Sequence, residues 1–207
     1  MPRTVLVPSE RVVRWFDNFA TRHGAASYDV RSGRLQATAE DGSTAVASLP
    51  FGRGYDGPAD ATTFTGASEI ALTWGVLLVR KGGFAIATVK GQRVVESKVG
   101  QRHVQGRTKA GGQSQQRFAR RRDNQARQAY EAAAEHAVRI LGSTRLQALV
   151  CGGDRPAVDA VLSEPRLSAL EALRVDPWLP VPDPRRAVLE RAVADGASVA
   201  ITVTEPG

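Results

Sequence analysis

The chain has 207 residues, 42% of them hydrophobic, a formal net charge of +7 and a single cysteine, Cys151. That length and apolar content supply the core of one ordinary domain, or of a domain with a small annex, and exclude wholesale disorder. No apolar run approaches the length needed to cross a bilayer, and one cysteine excludes an internal disulfide and fits a reducing cytoplasm. The opening MPRTVLVPSERVV carries no apolar signal core, so an unexported, cytoplasmic protein is expected.

In chain order, residues 9–24 predict a helix, with Ser9 as N-cap, Val12, Val13, Phe16 and Phe19 at helical spacing, and Gly24 as its stop. Alternating segments around Asp41-Gly42 predict a hairpin, and a loose stretch near 52–66 reads as a linker. From Glu69 three strands follow, turned at Gly82-Gly83 and Lys90-Gly91, and then a basic, glycine-containing stretch at 100–114. Residues 114–141 form a long helix with Phe118, Ala126, Tyr130, Ala133, Ala137 and Ile140 along one face and Gly142 as its C-cap. A buried strand at 146–151, a helix at 154–163, a strand near 173–178, a helix opened by Pro184 and a last strand at 197–205 complete the chain. Three antiparallel strands followed by alternating helices and strands predict an α/β (α+β) fold. The expected division is a helix and hairpin module at 1–65 and a second domain at 66–207.

Charge is concentrated in one place. Between Lys90 and Arg127 there are eleven Lys or Arg against two acids, a net of +9, whereas the rest of the chain is slightly acidic. Such a patch on a near-neutral body points to a polyanion, most often nucleic acid. The alternative, a solvated helix face, ordinarily mixes its signs.

The residues for other chemistries are missing. His23, His103 and His136 stand far apart with no partner at ligand spacing, so no metal is expected. The glycine pairs at 82–83, 111–112 and 152–153 form neither a P-loop nor a dinucleotide fingerprint, so no cofactor is expected. The acids do not cluster, which disfavours a metal-dependent nuclease. What remains is Gly111-Gly112-Gln113 at a helix start, flanked by Arg107, Lys109, Arg117, Arg120, Arg121 and Arg122. The glycines permit close backbone approach, the cations hold phosphates, and the helix N-terminus offers unpaired N–H groups. A glutamine is neither acid nor base near neutrality. It can position water or donate to developing negative charge, so hydrolysis is open to it only where a partner brings the rest of the active site.

GGQSQQRFARRR (111–122), with WGVLLVRKGGFAIATVKG (74–91) upstream, resembles the middle domain of eukaryotic and archaeal class-one release factors. There a strand–turn–strand leads to a basic GGQ loop and a helix opening S-x-x-R-F-x-R-x-R, matched here by Ser114, Arg117, Phe118, Arg120 and Arg122. The resemblance covers about 70–207. The short N-terminal module and the missing codon-reading domain look like the VLRF group of stand-alone release-factor-like proteins. That resemblance implies a ribonuclease H-like mixed sheet with flanking helices and a protruding basic GGQ loop. It also implies peptidyl-tRNA hydrolysis in the peptidyl transferase centre of the large ribosomal subunit, with Gln113 carrying the reaction. Some VLRF relatives have a G-x-x-Q, which Gly112 to Gln115 also satisfies; the helix match favours Gln113. Peptidyl-tRNA and ribosomal RNA are then the expected partners, and no membrane is. The rivals are a nuclease cutting near the tRNA 3′ end and a non-catalytic RNA-binding module.

Overall fold

A computed structural model describes residues 2–101 and 113–206, with side chains in the long third helix described from Arg127 onward. The chain divides into two compact units, Met1–Ala71 with Ala194–Gly207, and Leu72–Val193. The described residues contain two five-stranded sheets and give a mixed α/β fold.

In the first unit β1 (Arg3–Val7), β2 (Ala26–Arg31), β3 (Arg34–Ala39) and β4 (Thr44–Ser48) are joined by β10 (Val199–Thr204). The order is β1-β10-β4-β3-β2, antiparallel throughout. Alternation in β3 and β4 turns Leu35, Ala37, Ala45 and Ala47 inward. Helix α1 (Val12–His23) covers that face with Val12, Phe16 and Phe19. Helix α2 (Ala61–Ala67) adds Phe64, packed edge-on against Tyr55.

Three expectations change here. Ser9 does not cap α1; it sits in a short 3-10 turn at Ser9–Arg11, and the helix begins at Val12. The expected linker near 52–66 contains α2, capped by Asp60, whose carboxylate accepts from the Thr63 N–H at 2.8 Å. The final strand, expected within 66–207, instead fills the slot between β1 and β4. Its alternating Val199 and Ile201 complete the first core, which β1 and β4 alone would leave open.

The second unit is built on β5 (Thr73–Arg80), β6 (Gly83–Lys90), β7 (Arg93–Gln101), β8 (Leu149–Gly153) and β9 (Arg174–Leu179). Their order is β7-β6-β5-β8-β9. Strand β6 is antiparallel to β5 and β7, while β5, β8 and β9 are mutually parallel. Only the second strand in chain order therefore runs against the rest, the arrangement the ribonuclease H-like expectation calls for. The central strands β5 and β6 read TWGVLLVR and GFAIATVK and are buried almost end to end, as a sheet covered on both faces requires. Helices α3 (Gln113–Leu141), α4 (Arg155–Leu162) and α5 (Ser168–Glu171) follow, with a cluster from Leu77 and Ile86 to Ile140, Val158 and Leu167 as the core, and α6 (Arg186–Gly196) ends past the Val193 boundary. The β8–β9 register slips between Val150 and Gly152, beside Pro177, which has no N–H for the ladder.

Candidate nucleic-acid interface and GGQ segment

Helix α3 determines where the GGQ segment meets the fold. It runs 29 residues, about 43 Å at 1.5 Å per residue. Its C-terminal part is welded to the sheet. Ala133, Ala137, Ile140 and Leu141 are fully buried, and Thr88 on β6 donates its hydroxyl to the Ile140 carbonyl at 2.8 Å. Gly142 closes the helix, its N–H reaching the Val138 carbonyl at 3.0 Å. Two charged residues on this part pair with other elements: Arg139 lies 3.1 Å from Glu96, and Glu135 pairs with Arg166, which also holds Glu164.

The N-terminal part differs. Gln113 is the first helical residue, and the first turn contains no acid. The first backbone N–H groups of a helix have no internal partner, so this end presents donors in a positive local field. Arg117 lies just past the first turn and Arg120, Arg121 and Arg122 one to two turns further in. The field of the helix dipole fades beyond the first turn, so it bears little on these four positions. In the sequence Arg120 and Arg121 stand three and four residues after Arg117, a spacing at which like charges disfavour a helix. Gly111, Gly112, Arg107 and Lys109 lie outside the described residues, as does His103. Gln113, Gln115, Arg117, Arg120, Arg121 and Arg122 fall within the helical backbone of α3.

The strand that feeds this segment ends beside the β5–β6 turn. Gln101 pairs with Gly83, and Arg80 with Gly83. Gly100 lies flat against Phe84, and any Cβ there would collide with the ring. The other side of the packing comes from α3, whose His136 ring stands 5.4 Å from Phe84. Burial, then Lys98 and Arg139, hold the His136 pKa below its ordinary value. Strand end and helix are thus fixed to one aromatic ring.

At the β5–β6 turn the two neighbouring cations have different surroundings. Arg80 does not stand free: its Nε faces Asp154 at 3.5 Å and Asp183 at 3.7 Å, and it donates to the Val181 carbonyl at 3.0 Å. The exposed cation is Lys81, which lines an open cleft of about 940 Å³ with Arg127, Tyr130 and Glu135. Its signal in the sequence was its place at a hairpin tip. Cys151 is 2% exposed, and burial pushes its thiol up to about 12. Among the described residues no group of three His, Cys, Asp or Glu comes together as metal ligands. No described helix is long and apolar enough to cross a membrane.

The Actinobacteria/chloroflexi VLRF1 release factor family matches residues 72–202, more than half of the chain. No curated protein matches it. Among solved structures, an archaeal translation termination factor shares 14% identity at a TM-score of 0.42, over 78% of this chain and 51% of its own. Pelota from Archaeoglobus fulgidus shares 11% identity at a TM-score of 0.33, over 94% of this chain and 62% of its own. The chain thus spans about half the length of the archaeal termination factor.

Proposed function

Because the chain belongs to the Actinobacteria/chloroflexi VLRF1 release factor family, and so has a ribosome-associated role in translation or rescue, we propose that it hydrolyses peptidyl-tRNA on stalled ribosomes or large subunits. The observation that carries this reading is the position of Gln113, directly after Gly111-Gly112, as the first residue of α3. In the peptidyl transferase centre Gln113 orients a water toward the ester carbonyl that joins peptide to tRNA. Water adds to that carbon, the bond to the ribose oxygen breaks, and the proton goes to that oxygen. The helix-terminal N–H groups lie close to where negative charge develops. Gly111 and Gly112 let the backbone pass the tRNA 3′ end. Arg107, Lys109, Arg117, Arg120, Arg121 and Arg122 grip ribosomal RNA phosphates, and Lys81 extends the set. The protein works in the cytoplasm and takes no metal or cofactor, since RNA supplies the rest of the frame.

The test uses purified ribosomal complexes carrying labelled peptidyl-tRNA. Gln113→Ala lowers release on the order of 100-fold or more while ribosome association persists, and Gln115→Ala is much milder. The reverse ranking would assign the reaction to Gln115. Full activity in both variants would end the hydrolase reading, and nucleotides left on the released peptide would replace it with tRNA cleavage.

A further inference from the structure

The first unit carries a basic surface of its own. Helix α1 packs Val12, Phe16 and Phe19 into the core, so its opposite stripe, Arg11, Arg14, Trp15, Asn18 and Arg22, is turned outward at helical spacing. Edge strand β1 runs alongside. Between them lie two adjoining hollows of about 580 and 600 Å³, and Val5, Trp15 and Asn18 line both. Trp15 is half-buried and stacked on Phe19 with centroids 5.7 Å apart and planes 11° from parallel. Arg3 and Arg22 flank one hollow, Arg11 and Arg14 the other. Arg3, Arg11 and Arg14 make no ion pair among the described residues. The acid in the lining is Glu205, at the far end, 3.9 Å from Arg22 and 4.0 Å from His23. His23 is itself held by Asp41 at 2.8 Å.

We propose that this groove binds single-stranded RNA, with a base stacking on Trp15 and phosphates held by Arg3, Arg11, Arg14 and Arg22. An aromatic platform inside a cationic channel is the arrangement that takes unpaired nucleotides without demanding a sequence. The cations are all arginine, whose planar fork suits phosphate and stacks on bases. The Asn18 amide supplies a donor and an acceptor for a base edge. None of these cations lies within the family-matched residues 72–202, and the proposal does not rest on the release reaction.

The test is crosslinking of the full chain to a 12-nucleotide RNA containing 4-thiouridine. Trypsin cuts after Arg14 and Arg22, so Trp15–Arg22 is recovered as one fragment. Crosslinked nucleotide on that fragment is the expected result, and crosslinks confined to residues 90–127 would overturn the proposal. Affinity for the same RNA is then measured by fluorescence anisotropy in a chain carrying Arg120→Gln and Arg121→Gln, which weakens the competing patch. Adding Arg11→Gln and Arg14→Gln lowers affinity about tenfold and the salt slope by about 1.4 units. Trp15→Leu lowers affinity about tenfold with the slope unchanged, and melting curves confirm that each variant is folded. The open edge of β1 also suits an extended acidic peptide. If poly-glutamate binding depends on Arg11 and Arg14 while RNA affinity does not change, the groove is a peptide site and the proposal falls.

Discussion

The two halves of α3 follow opposite rules. From Ala129 to Leu141 small and apolar side chains meet the sheet, and each described carboxylate or guanidinium that pairs does so with an opposite charge from another element. From Gln113 to Arg127 the sequence has five arginines and one acid, Asp123, and no acid in the first turn. A surface helix selected for its own stability would alternate signs and place acids at its start. The contrast separates residues that hold the fold from a run of like charge that, on the proposed function, faces RNA phosphates. One continuous helix mechanically connects the two.

Four experiments break or sharpen this contrast. Ile140→Ala empties a fully buried site in the C-terminal half. It should cost about 2–5 kcal/mol in denaturant unfolding; a loss as small as that of an exposed residue would show the half to be poorly packed. Gly100→Val, at the root of the basic segment, forces a branched side chain onto Phe84. A loss of about 1–3 kcal/mol is expected, together with lost release, since the anchoring ring must move. Arg120→Gln with Arg121→Gln should do the reverse. Ribosome association weakens and its salt dependence flattens by about one to two units, while the melting temperature is unchanged or slightly higher because like charges at helical spacing are removed. Easy unfolding with unchanged ribosome binding would make these arginines internal partners.

The smallest effect concerns His136. Its native pKa lies below the ordinary 6.5, so the unfolded chain takes up the proton first. Its contribution to stability is complete above that value and declines as pH falls through it toward the lowered native pKa. His136→Phe should therefore flatten the fall in urea midpoint between about pH 7 and 5. An unaltered profile would show that other groups dominate the acid response.

Elements governed by local pattern were legible in the sequence. The hairpins of β5 to β7 announce themselves by glycine turns between apolar runs, and α3 by a stripe of alanines ending at Gly142. Some elements were hidden by their neighbours, β1 and α2 among them. Strand β1 is five residues between two prolines, too short for alternation to register. Helix α2 follows GRGYDGPAD, whose turn composition masks the Asp60 cap. The partnership of β10 was illegible for another reason. ASVAITVTE shows that a strand forms and which residues turn inward, but register with β1 and β4 is a long-range fact with no local signature. For the candidate site, GGQ and the arginines could be read directly, whereas the engagement of Arg80 with Asp154 and Asp183 depends on residues brought together only by the fold.

The position of β10 also sets an order of events during synthesis. The second unit is one unbroken segment, Leu72–Val193, and holds every strand and helix that roots the GGQ segment. The first unit is made first but lacks its inner strand until Val199–Thr204 has been translated. Until then β1 has no neighbour and the cluster of Phe16, Phe19 and Leu35 lacks Val199 and Ile201. Pairing that waits on so distant a segment is slow and leaves apolar surface exposed meanwhile. The part of the chain that leaves the ribosome earliest is therefore the last to close.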